Sequence, residues 1–559
     1  MKKNKQISKL VASAAMAVAS IAPSFAQSNL GAACGCPSVA SRPTVELSSL
    51  PGYTAISGTY GGELTLGATL TCDKTYIIDK KIYIPSGQIL NIAPGTVLKG
   101  RANAVPAEAT ALVIERGGKI NAAGEADCQI VFTAEADPLD GTYSISNKGM
   151  WGGVLILGKA SNNLTLAANG PYVPGGAGKL AVANGLGTIE GFATSNTQDQ
   201  YGVDLSTGSF DDNDNSGILK YASIRHSGAI LAVGAEINGL TLGSVGRGTT
   251  IEHIEIVSCA DDNIELFGGT VNLKYISVLF GNDDMYDYDC GWTGKGQFLF
   301  GMKTDNTASA DSDNGFEADS DDQKSNATPK SHPVFYNVTL IGNEKATGNS
   351  DNSGLTAIMA KETTEGEYYN SVFANFRNGF NMQKSLGSRA VGSPEAYDNW
   401  INGSLKVKCN TFVGTTNPAT YDAGKTATGT ALSGADLTKF TTTDLNTIVV
   451  GNTLPGFNYD FTVNNTTNVF SVKNDVVPNP SLSVAGCPTA PVDGFFRAAA
   501  YRGAFSSDPK NNWLSDWSYS QVLGATKGLV SCPTDINADG VTNVNDFLQL
   551  SGEFGKSCN

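Results

Sequence analysis

The sequence predicts an all-β fold, a parallel β-helix built as a solenoid of stacked coils, followed by a small calcium-binding module. Three observations predict it. Ile254-Glu255-Ile256 to Asp261-Asp262 is echoed by Ile276-Ser277-Val278 to Asp283-Asp284. The offset is 22 residues throughout, and Ile264-Glu265-Leu266 continues it onto Tyr286-Asp287-Tyr288. A period of this length, carried by alternating apolar residues with no helix-forming run between the copies, marks a stacked repeat. Second, short β-rich runs broken by Pro-Ser-Gly and Pro-Gly turns recur from Leu64 onward. Third, the chain ends on an Asp-x-Asn-x-Asp-Gly loop at Asp535 to Gly540.

Residues 1–26 read as a secretory signal, with Lys2, Lys3, Lys5 and Lys9 before the apolar run Leu10 to Ala22 and small residues at Ser24-Phe25-Ala26. The apolar run is too short to cross a bilayer, and no later segment is apolar enough to be transmembrane. The expected location is outside the cell, secreted or retained at a bacterial cell surface. The ten cysteines then sit where disulfides form, although pairing is not readable from sequence. A net charge of −15 excludes nucleic acid as a partner, because that ligand wants a basic face. The 559 residues exceed one compact domain but set no limit on a solenoid.

Residues 27–60 read as a linker or irregular lead-in. The β-helix is expected over 61–485. Its strands begin at Thr75 to Ile78, Lys81 to Ile84, Ile89 to Ile92 and Val97 to Gly100, and continue through Ala111 to Ile114 and Val154 to Leu157. Residues 159–217, rich in Gly, Asn and Ser, read as a strand-poor excursion from the barrel. The coils between Lys220 and Gly301, with further coils in looser register after them, give the outward alignment Thr241, Glu265, Asp287, Glu317, Thr356 and Asn381, in which the 39-residue step to Thr356 rests on the pattern Gly-apolar-polar alone. Residues 486–530 crowd Phe495, Phe496, Tyr501, Phe505, Trp513 and Trp517 together and read as a cap over the open last coil.

The set Ile114-Glu115-Arg116-Gly117-Gly118, Trp151-Gly152-Gly153, Asn238 to Gly243, Asp261-Asp262 to Phe267-Gly268-Gly269, Asn282-Asp283-Asp284 to Gly291-Trp292 and Tyr501-Arg502-Gly503-Ala504-Phe505 resembles a family of secreted bacterial proteins, common in Bacteroidota and of uncharacterised activity. The resemblance covers roughly residues 60–520 and implies a right-handed parallel β-helix and export, but no particular reaction.

At the C-terminus, Asp535, Asn537, Asp539, Asn543 and Asp546 fall at positions 1, 3, 5, 9 and 12 of a calcium loop, with Gly540 at the sharp turn and the Val541 carbonyl at position 7. Asp in place of Glu at position 12 resembles a dockerin type I repeat. A cellulosomal dockerin has two repeats and this chain one, which counts against a cohesin-like partner. Cys532 and Cys558 bracket the 531–559 module and are positioned to close it. Ca²⁺ is the expected cofactor.

The stacking also predicts an acid ladder. Equivalent residues of adjacent coils lie about 4.8 Å apart. Asp261 then falls over Asp283 and Asp262 over Asp284. Glu265, Asp287 and Glu317 form a row, with Asp289 and Asp319 beside them. Carboxylates this close must be solvated, protonated or bridged by a cation. A polysaccharide lyase or hydrolase is one reading of such pairs. The chain has only three His and no Gly-His-Gly or Arg-x-Lys step beside the acids, so no catalytic residue is assigned. The expected function is a calcium-binding surface or secreted solenoid with a structural, adhesive or matrix role. The alternative is a polysaccharide-active enzyme carrying the same tail.

Overall fold

The computed structural model describes residues 30–523, except 66, 68, 166–179, 190, 193–194, 233–234, 304–312, 321–326, 345–354, 385–393, 423–428, 452–460, 465–468, 473–481, 483, 507–511 and 516. The signal segment and the C-terminal module lie outside the described residues.

Two long sheets run between Thr44 and Val449. Both are built almost wholly of parallel pairs between one coil and the next. The 22-residue step is the pairing itself: Ile254 lies opposite Ile276, Ile256 opposite Val278, and Glu265 opposite Asp287. Inward positions stack into a continuous apolar column. In the first sheet Ile276 meets Leu299, which meets Val338; in the second Ile264 meets Tyr286, then Phe316, then Ile358. Gly301 has no side chain because Met285 occupies that space, its sulfur 2.4 Å from where a Cβ would stand.

The long strands of the first sheet bend at one point per coil. Tyr221, His253, Tyr275, Phe298, Asn337 and Asn370 all take positive φ there, between 46° and 59°. A left-handed turn at a non-glycine residue costs of order 1 kcal/mol, and here each bend is braced from outside. The rings of Tyr221, His253, Tyr275 and Phe298 stack at 4.3, 4.5 and 5.0 Å between successive centroids. The amides of Asn337 and Asn370 donate to the carbonyls of Tyr501 and Pro488.

Four expectations are corrected. The lead-in is not irregular throughout: Thr44–Glu46 already pairs in parallel with Thr75–Ile78, and Cys34–Cys128 and Cys36–Cys72 tie it to the first coils. The excursion holds a three-stranded antiparallel sheet, Leu180–Ala183, Leu186–Thr188 and Gln200–Gly202. Its Leu164, Ile189, Phe192 and Tyr201 cover the outward side chains of Tyr83, Val113, Leu155 and Leu157, which would otherwise face water.

The aromatic segment is not an end cap. Residues 487–523 strap the flank of the first sheet, from the Cys409–Cys487 disulfide to Glu255, whose carboxylate accepts the Tyr519 and Ser520 backbone N–H groups at 2.7 and 3.0 Å. The reason is an outward apolar stripe, Val257, Leu279, Met302, Ile341 and Val413, which Phe505, Leu514, Trp517 and Leu523 bury. The fourth correction is a register. Glu317 lies opposite Met359, not Thr356. Thr356 sits three residues earlier on the same strand and pairs with Asn378.

Candidate functional site

The outer face of the second sheet carries the acids. Strands Leu240–Gly243, Ile264–Phe267, Tyr286–Asp289, Phe316–Ala318 and Thr356–Ala360 alternate strictly, with Ile264, Leu266, Tyr286 and Tyr288 inward and the polar residues between them outward. The outward row reads Thr241, Glu265, Asp287, Glu317, Met359, Asn381. It is not a solvated edge: Glu265 is 5% exposed and Asp287 4%.

Three sets of carboxylates converge so that one oxygen from each lies within 4.8 Å of the others: Asp261, Asp262 and Asp283; Asp262, Glu265 and Asp287; Asp283, Asp284 and Asp313. In the first set Asp261 and Asp283 are partly exposed, whereas the second is wholly buried. Around the buried set, the Asn238 amide donates to Glu265, while Asn238 Oδ1 and Thr241 Oγ1 are buried and have no hydrogen-bond partner. Three convergent carboxylates are hard-oxygen ligands of the kind that Ca²⁺ takes.

The electrostatics agree. Burial pushes Asp262 well above the ordinary carboxylate range, and Asp261, Asp283, Asp284 and Asp287 push it further. Burial does the same to Asp284, aided by Glu317 and Asp313. Carboxyls in this state are either protonated or gathered on a cation.

Two lysines answer part of the charge. Lys303, fully buried, donates to the Asp283 carbonyl; burial lowers its pKa although Asp284 and Asp313 oppose this. Lys361 pairs with Glu317 and, at 3.3 Å, with Asp319. Burial works against its charge, but Asp319 and Glu317 outweigh it and raise its pKa.

The predicted acids therefore separate. Asp261, Asp262, Glu265, Asp283, Asp284 and Asp287 come together; Glu317 and Asp319 turn to Lys361. Asp289 stacks beyond Asp287, where its Oδ1 accepts the Cys290 N–H. Asp535, Asn537, Asp539, Val541, Asn543, Asp546, Cys532 and Cys558 fall outside the described residues. Sequence reasoning missed Asn238, Asp313, Lys303 and Lys361. Asn238 was findable because it stands just before the Gly-apolar rung start at Gly239-Leu240, and Asp313 because it stands one position before the matching Asn314-Gly315-Phe316, in register with Asp283.

A family model described as a pectate-lyase-like beta helix domain matches residues 62–453, a span that contains the whole acid row. No curated protein matches the chain. Among the described residues no helix is long and apolar enough to cross a membrane.

Proposed function

The chain belongs to the pectate-lyase-like β-helix family, and from that premise we propose that it is a secreted or cell-surface protein that holds an acidic polysaccharide against the acid row through Ca²⁺. The family match supports a polysaccharide-related role. The observation that carries the finer reading is the partly exposed set Asp261, Asp262 and Asp283 beside the wholly buried set Asp262, Glu265 and Asp287. A cation at the exposed set keeps coordination positions open to a uronate carboxylate, which it would bridge to the protein. Export is supported by the signal-like pattern of residues 1–26 and by three disulfides among the described residues. The tail loop at Asp535 to Asp546 is proposed as a separate calcium site.

Binding without cleavage fits the two lysines, since a base that abstracts a sugar proton must reach substrate. Lys361 is held by Glu317 and Asp319, and both ammonium groups are buried. A second reading, β-elimination, would use Lys303, which donates to the Asp283 carbonyl beside the acid cluster and whose pKa burial lowers against the pull of Asp284 and Asp313. An amine so disposed would take the proton α to a uronate carboxyl, the C–H electron pair becoming the ring C–C double bond and the glycosidic C–O pair leaving on its oxygen, which takes a proton from solvent.

One experiment separates these. The protein is run through a polygalacturonate affinity gel with calcium and then with EDTA, and the same mixture is assayed for unsaturated product by ultraviolet absorbance. Calcium-dependent retardation without product supports binding. Product that disappears in Lys303→Met establishes the elimination. No retardation and no product rejects both.

A further inference from the structure

A third lysine stands beside the partly exposed set Asp261, Asp262 and Asp283. Lys148 comes from the loop between strands Ile130–Ala134 and Val154–Leu157. The loop is fixed on both sides of it. Ile145 is buried among the flank residues that the strap covers, and the Tyr143 ring stands edge-on to His226 at 4.8 Å. His226 Nδ1 meets the Asn147 carbonyl at 2.7 Å, and the Gly149 and Met150 N–H groups donate to the Ser227 and His226 carbonyls at 2.8 and 2.9 Å. Gly149, at φ 67°, passes so close to the barrel that a Cβ there would stand 3.3 Å from that of Ala260, the residue before Asp261.

This placement brings the Lys148 ammonium to the seam between two coils. It donates to the side-chain carbonyl of Asn282, the residue before Asp283. The Asn282 N–H in turn donates at 3.1 Å to the carbonyl of Cys259, two residues before Asp261. The electrostatics put the cation at the same point. Burial raises the pKa of the Cys259 thiol; the charge of Asp261 raises it further, and that of Lys148 opposes it. Lys148 is thus to the exposed set what Lys303 is to Asp284 and Asp313, and Lys361 to Glu317 and Asp319. It differs in one respect. Lys303 and Lys361 are buried, whereas Lys148 is only partly so and can turn its ammonium out to water.

We propose that Lys148 is the counter-ion of the exposed set before metal arrives, and that Ca²⁺ takes its place. The proposal rests on the calcium reading of the acid row and adds a control to it. A metal ion entering the set must displace the ammonium or sit beside it, and either lowers its affinity. That moves a carboxylate site towards dissociation constants on the order of 10⁻⁴–10⁻³ M, where extracellular calcium modules work. The row then fills where calcium is abundant, outside the cell.

The test is calcium titration calorimetry on the full chain with the tail loop disabled by Asp535→Ala, Asp539→Ala and Asp546→Ala, and with no polysaccharide present. Lys148→Met should bind calcium roughly tenfold more tightly, and Lys148→Arg should stay close to the parent. Lys119→Met removes the same charge from a coil near the N-terminus and should leave the affinity unchanged. In EDTA the sign reverses: Lys148→Met should unfold at lower denaturant than the parent, because the acids have lost their counter-ion. Lys148→Gln replaces the methionine variant if that one does not fold. Calcium affinity unchanged or weakened in Lys148→Met, or unchanged stability in EDTA, overturns the proposal and leaves the acid-row reading standing, since the parent still takes up calcium. No calcium heat in either protein rejects the metal at the row and the proposal with it. Failure of the polygalacturonate gel does not bear on this experiment, because no polysaccharide enters it.

Discussion

Asp262 Oδ1 accepts the backbone N–H of Asp284, one coil later, at 2.7 Å. Asp284 Oδ1 repeats the contact with Asn314 at 2.6 Å, and Asn314 Oδ1 with Thr356 at 3.2 Å. The acids most suggestive of a catalytic pair are therefore also rungs of a ladder that joins coil to coil. Loss of activity in an alanine variant here would not by itself identify a catalytic group.

Asparagine separates the two roles. In EDTA, Asp262→Asn keeps an oxygen acceptor and should unfold in denaturant within about 0.5 kcal/mol of the parent. Asp262→Ala strands a buried N–H and should cost about 1–3 kcal/mol. Calcium stabilisation should fall in both. Equal stability of the two variants in EDTA would remove the ladder.

Glu255 should control the strap. It is fully buried, receives two backbone N–H groups from Tyr519 and Ser520, and stands 3.7 Å from buried Arg225, which itself lies over the Tyr519 ring. Removing one partner of a buried pair costs about 3–5 kcal/mol. Glu255→Ala should lose that much and raise hydrogen exchange at 512–523 before exchange rises in the sheets. Unchanged exchange there would show that apolar contact alone holds the strap.

A pH dependence follows from His332. Glu365 and Glu367 flank its ring at 3.3 and 2.9 Å and raise its pKa to about 9 from 6.5. Burial alone would raise Glu367, but His332, Lys406 and Tyr369 outweigh it and bring it down to about 2. The histidine's contribution is complete below pH 6.5 and is lost as pH rises through 9. That of Glu367 is complete above pH 4.5 and is lost as pH falls through 2. Both are whole between these limits. His332→Gln should flatten the alkaline fall in melting temperature. The side chain is 37% exposed, so the effect is screened to below about 1 kcal/mol. An alkaline slope identical to the parent's would exclude this cluster.

The stacked coils were legible where no loop interrupts them. Ile254 to Ile276 is a bare coil, so a fixed offset exposes both the fold and the acids it superimposes. The step from Glu317 crosses long insertions, and the Gly354-Leu355-Thr356 pattern imitates a rung start three residues before the true partner, Met359. That slip also hid Lys361, two residues beyond Met359, from the acids it neutralises. The strap was illegible for a different reason. Glu255 and Tyr519 share no period, and nothing local in Phe505 or Trp517 distinguishes covering an end from covering a flank. Burial was likewise silent, because alternation places Glu265 outward without saying what lies over it.

The central claim is that the acid row takes up calcium. It is tested most directly by isothermal titration calorimetry on the full chain with the tail loop disabled by Asp535→Ala, Asp539→Ala and Asp546→Ala. The account predicts that at least one calcium still binds, and that the heat disappears when Asp262→Asn and Asp283→Asn, which remove ligands of the exposed set and one shared with the buried set, are added. No calcium heat in the tail-disabled protein, or heat untouched by the two row substitutions, would contradict it.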